Sequence, residues 1–125
     1  MKKHLLILNF CLLLVNFSWG QNNGSKKLAA HATLSDDSTK TLFILDTSQV
    51  FITALDSNGT QLWRTDPWKD NKLEKYRVER PIIVYFSFEN NERTDNKEAI
   101  WIVYNNTQFG IVDKSNGKFT WFGQD

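Results

Sequence analysis

The chain has 125 residues, with 15 basic against 14 acidic side chains, 14% aromatic residues and one cysteine. That length fits one domain, and the balanced charge excludes a protein built on long-range attraction to nucleic acid or anionic membrane. A lone cysteine excludes a disulfide framework and a cysteine-based zinc cluster within the chain.

Residues 1–20 read as an export signal. Lys2 and Lys3 form a basic start, Leu5 to Val15 an apolar run, and Ser18-Trp19-Gly20 a small-residue cleavage site before Gln21. The run is shorter than the roughly 20 apolar residues a bilayer crossing needs. Cys11 lies within it, after Asn9-Phe10, so it reads as part of the signal and not as a lipid-attachment site. Cleavage removes the only cysteine together with Lys2 and Lys3, leaving a mature chain with no transmembrane segment and a slight acidic excess. The expected location is periplasmic or secreted, with a signal of bacterial type.

Residues 21–27, QNNGSKK, read as a flexible tail. A single β domain is predicted over 28–125, in two meanders covering about 28–66 and 76–123. Leu28 to Leu34 alternates as a first strand. Thr41 to Leu45 and Gln49 to Leu55 form a hairpin rich in β-branched and aromatic residues. Gln61 to Thr65 returns after an Asn-Gly turn.

Asp66 to Arg80 is read two ways. Asp66-Pro67 suits a helix cap and first helical position, while Tyr76 and Val78 alternate with charges as a strand does; a connector followed by a strand is the expectation. Pro81 to Phe88 is apolar on both faces, which predicts a central, covered strand. Glu89 to Glu98 holds no apolar residue and reads as a solvated loop. Ala99 to Tyr104 and Thr107 to Asp113 form a second hairpin around Asn105-Asn106, and Lys118 to Gly123 closes the second meander.

Two stretches repeat. Val50 to Trp63, VFITALDSNGTQLW, and Gln108 to Trp121, QFGIVDKSNGKFTW, each carry Asp, a polar turn ending in Asn-Gly, and a tryptophan on the return strand. Asn and Gly tolerate the positive φ that tight hairpin turns require. The pattern resembles the repeat of quinoprotein-type (PQQ-like) β-propellers. Ala54-Leu55-Asp56 matches its opening; Gly117-Lys118 and Trp121 match its close. Ile111 stands for the usual alanine, Asn for the usual threonine before each glycine, and the first turn is one residue shorter. The resemblance implies blade-like meanders and allows a protein–protein scaffold. Two units cannot close a ring of about 4–8 blades. The meanders are expected to pack as a small sandwich or barrel, with a partial propeller completed by several chains as the alternative. Quinoprotein enzymes hold their cofactor inside a complete ring, so no cofactor or activity carries over.

Trp63, Trp101 and Trp121 read as core residues, with an aromatic surface for sugar or peptide as the competing reading. Trp68, in a polar connector, is a candidate partner contact together with Lys69, Lys72 and Arg93. The acidic turns lack the length and closing Glu of an EF-hand loop, so turn chemistry accounts for them. His31 has no cysteine beside it for a zinc site, and no nucleophile-elbow motif supports hydrolysis. No catalytic, cofactor or metal residue is assigned. The expected function is an exported, non-enzymatic binding or scaffold module with a protein partner. An inhibitor or immunity-type protein is the alternative, and a carbohydrate-binding or hydrolytic enzyme ranks below both.

Overall fold

The computed structural model describes residues 32–125. The export signal with Cys11, the tail, His31 and the first part of the predicted strand at 28–31 lie outside the described residues. The chain forms β1 (Thr33–Asp36), β2 (Thr41–Leu45), β3 (Ile52–Leu55) and β4 (Gln61–Thr65), then a short helix α1 (Pro67–Asp70). It continues with β5 (Ile83–Glu89), a 3-10 turn (Glu92–Thr94), β6 (Ala99–Tyr104), β7 (Phe109–Val112) and β8 (Phe119–Gly123). Each group of four strands pairs antiparallel in sequence order, giving two four-stranded sheets. The all-β class and both meanders are as expected, arranged as a small two-sheet sandwich.

The tight turns follow from Asp and Gly chemistry. In the first repeat, Asp56 Oδ1 accepts from the Asn58 and Thr60 N–H groups, and Gly59 takes φ +79°. In the second, Asp113 Oδ1 accepts from the Ser115 N–H and hydroxyl, and Gly117 takes φ +75°. The hairpin at 105–108 departs from the expected Asn-Asn pair. Its positive φ, 76°, falls on Thr107. Asn106 instead accepts the Gln108 N–H and turns its amide to Gln108 Oε1 (2.8 Å) inside the protein.

One core lies between the sheets. Phe43, Leu45, Ile52 and Ala54 from the first meet Ile83, Ile100, Ile102, Tyr104, Val112 and Phe119 from the second. Alternation along each strand selects these residues, and every one is at most 5% exposed.

Three expectations are corrected here, and that for Trp101 below. Asp66 caps α1, its side chain accepting from Lys69 N–H at 3.1 Å, but no strand follows. Arg77 takes φ 61°, folding Tyr76 and Val78 back on each other in a single bridge. β5 is not central. It is one of the two edge strands of its sheet, and the pairing shifts between Ile83 and Tyr85. That bulge sends Ile83 into the core and leaves Val84 and Tyr85 39% and 40% exposed, so its two apolar faces reflect a change of side and not double cover. Finally, Trp121 is 47% exposed and not in the core.

Candidate binding face

The reason Trp63 and Trp121 diverge is register. Both lie four residues beyond the glycine of their turn. In β4 the pairing jumps from Leu55↔Gln61 to Ala54↔Trp63, so Leu62 is an extra residue and Trp63 turns inward. In β8 the pairing runs unbroken from Val112↔Phe119 through Ile111↔Thr120 to Gly110↔Trp121. A one-residue difference moves every following side chain to the other face.

The backbone closures fix which residues correspond. The Asp46 N–H donates to the Phe51 carbonyl as Tyr104 does to Gln108, and Asp56 donates to Thr60 as Asp113 does to Lys118. Between these closures Phe43 corresponds to Trp101, Leu45 to Val103, Ala54 to Ile111, and Trp63 to Thr120. The two members of each pair therefore occupy equivalent places with opposite fates. Phe43, Leu45 and Ala54 face the second sheet and are buried. Trp101, Val103 and Ile111 lie on the side of the second sheet turned away from the first, where each is half-buried. Trp101 packs there against Phe109 and Phe122, each ring centroid 5.6 Å away and the planes tilted by 31° and 52°. It is an outer-face residue and not a core residue, against expectation.

The sheets are latched where Trp63 meets the β7–β8 turn. Its Nε1–H donates to the Lys114 carbonyl at 2.9 Å, and its ring lies over Gly117 so closely that an added Cβ would stand 2.6 Å from it. Lys114 Nζ bridges Asp36 at 2.6 Å and Glu98 at 2.9 Å. The Lys114 hydrogen bond, aided by the Ser38 hydroxyl, holds the buried Asp36 carboxyl well below its ordinary range. Burial disfavours the Lys114 ammonium, but its bonds to Asp36 and Glu98 outweigh that and push its pKa up.

On the outer face the equivalent place is open. Ile111 and Thr120 floor a cleft of about 430 Å³ between the loop that carries Arg93 to Glu98 and the β7–β8 turn. Its rim carries Arg93, Lys97 and Lys118, all exposed. The Asp113 carboxyl on the same rim is held below its ordinary range by the Ser115 hydroxyl, with the Lys97 charge contributing less. The loop is braced: Asn91 accepts from Arg93 N–H and its own N–H donates to Thr94 Oγ1. Such a self-capped loop enters a contact at little ordering cost.

Of the four residues singled out from sequence, Arg93 belongs to this face, 5.9 Å from the Trp101 ring. Trp68, Lys69 and Lys72 lie elsewhere. The Trp68 indole N–H donates to Gln108 Oε1 at 3.1 Å, and the Arg80 guanidinium covers its ring at 4.8 Å, so this side chain pins the connector to the second sheet. Gln108 also donates to the Glu74 carbonyl at 3.0 Å. Lys69 and Lys72 are exposed, and Lys72 borders a separate cleft of about 270 Å³ with Leu73 and Trp121. Sequence reasoning missed Trp101, Ile111 and Thr120 as surface residues. The available clue was Ala99 to Tyr104, a strand apolar on both faces within a repeated unit.

No described helix is long and apolar enough to cross a membrane. Comparison with protein families, curated proteins and solved structures returns no match for this chain.

Proposed function

We propose that this is an exported, non-enzymatic module that works by binding protein through the outer face of its second sheet. One observation carries the reading. A half-buried aromatic floor built on rigid strands lies beside a cleft rimmed by Arg93, Lys97 and Lys118. Aromatic and arginine side chains at the centre of a fixed surface are what dominate protein contacts. Three acidic groups at or beside the cleft serve the fold: Asp36 and Glu98 hold Lys114, and Asp113 closes a turn, which leaves Asp95 on the rim. Proton transfer needs a group poised to change charge in the working pH range. The Asp36 and Asp113 carboxyls are held ionised instead.

The test places a photo-crosslinking amino acid at Thr120 and, as a control, at Ser48 in an exposed turn far along the chain. Irradiation of cells followed by fractionation should give a protein adduct in the exported fraction from position 120 and none from position 48. Absence of any adduct at 120, or equal adducts at both positions, refutes the reading.

A further inference from the structure

We infer that the protein the outer face binds is a second copy of this chain, seated head to tail. The inference rests on the binding face proposed above and names its occupant. The two sheets are related by one repeated step, and each end of that step is left unfilled by the described residues. The inner face of the first sheet, with Phe43, Ala54 and Trp63, is closed by the second sheet. Its counterpart on the second sheet, with Trp101, Ile111 and Thr120, faces outward.

The receiving side has an unfilled counterpart too. Ile100, Ile102 and Val112 receive the first sheet and are fully buried. Their equivalents on the first sheet, Leu42, Ile44 and Leu55, are only half-buried on its outer side. The turn glycines tell the same story. Gly117 is covered by the Trp63 ring, whereas Gly59, with the same backbone conformation, has nothing among the described residues within 4 Å of its missing Cβ. Docking the outer side of one copy's first sheet on the outer face of another copy's second sheet repeats the internal contact. It brings the Asp56–Gly59 turn into the cleft floored by Ile111 and Thr120. The acidic turn meets a mixed rim on which Arg93, Lys97 and Lys118 outnumber Asp95 and Asp113 once Lys114 and Glu98 are paired, so the balance is of the complementary sign.

The contact uses two different surfaces, so it is heterologous. It continues until a ring closes, or runs open if the rotation does not close. The intermolecular copy is weaker than the internal one. Thr120 stands where Trp63 stands, and Ser57 stands where Lys114 bridges the sheets. Association is therefore reversible and concentration-dependent.

The test is light scattering and sedimentation of the purified protein over a concentration series, with Thr120→Arg on the second sheet and Thr53→Arg on the first. Both positions are polar and on outer sides, and circular dichroism verifies that the variants fold. Wild type should shift toward multiples of the protomer mass as concentration rises. Each variant alone should stay monomeric, and an equimolar mixture should form a dimer that grows no further, because each copy supplies the face the other lacks. Three results overturn the inference: a wild type that stays monomeric throughout, variants that associate as wild type does, or a Thr53→Arg protein that still self-associates while Thr120→Arg does not, which marks a contact of the second sheet with itself. A crosslinked adduct at position 120 containing a different protein leaves the binding face standing and refutes self-docking alone.

Discussion

Substitution of the two turn glycines by alanine separates backbone strain from side-chain collision. Gly59 and Gly117 share a left-handed conformation, φ +79° and +75°. A Cβ in that region costs about 1–2 kcal/mol at either position. The surroundings then differ. At Gly59 the new methyl meets open space, whereas at Gly117 it would lie 2.6–3.2 Å from three Trp63 ring atoms. The ring cannot slide away without losing its bond to the Lys114 carbonyl and its contact with Phe43 at 5.8 Å. Overpacking of this kind adds about 1–3 kcal/mol. Gly59→Ala should thus lose about 1–2 kcal/mol, and Gly117→Ala about 2–5 kcal/mol. Urea denaturation followed by far-ultraviolet circular dichroism, in dilute solution, measures both. The decisive comparison is made in a Trp63→Ala background, where Gly117→Ala should fall back to the Gly59→Ala cost. Equal losses at the two glycines, or no coupling between positions 63 and 117, would show that Trp63 does not latch the sheets.

Two further outcomes follow from buried polar groups. The Asp36 carboxyl is held below its ordinary value of 3.8, chiefly by Lys114, so the unfolded chain binds more protons in acid and the stabilisation present above that value is lost as pH falls. Lys114→Met should be less stable than wild type at neutral pH, and thermal melts should show the gap narrowing from about pH 5 downward; a gap independent of pH refutes the pairing. The Tyr104 hydroxyl is buried without a well-formed hydrogen bond among the described residues; burial, with the Asp66 charge second, pushes its pKa up against a smaller opposing pull from the nearby Trp68 backbone. Tyr104→Phe should leave stability unchanged or raise it by up to about 1 kcal/mol in urea, since it deletes an unsatisfied group; a loss above about 1 kcal/mol means the hydroxyl is bonded after all.

What was legible in the sequence came from local chemistry. Asp, Asn and Gly at fixed offsets named both repeated turns, and alternating apolar residues named β2, β6 and β8 to within a residue, and β3 with its start three residues early. The Asp66-Pro67 cap marked α1 for the same reason. Misreadings arose where one residue changed the side a strand presents. Tyr76 and Val78 alternate as in a strand, yet Arg77 between them turns left-handed and the chain reverses. Pro81 to Phe88 has two apolar faces because it bulges near Val84, not because it is covered twice. Trp68 looked isolated among charges, but its partners Gln108 and Arg80 come from distant positions that spacing does not reveal.

The face proposed for binding was hidden by the strength of the repeat itself. Because each tryptophan follows its glycine at the same distance, spacing alone assigns Trp63 and Trp121 one role. The bulge at Leu62 breaks that equivalence, and Thr120 takes the place that Trp63 fills. A tryptophan there would bury roughly 150–250 Å² against a docking turn, and a threonine cannot. The same substitution that opens the cleft therefore also weakens whatever fills it. The internal joint is made permanent by Trp63 and by Lys114 between Asp36 and Glu98. The outer face keeps the aromatic floor of such a joint without its tryptophan or its bridging lysine. On the proposed reading such a surface favours contacts that form and release, with the charged rim biasing which partner it accepts and the packed rings of Trp101, Phe109 and Phe122 supplying apolar area.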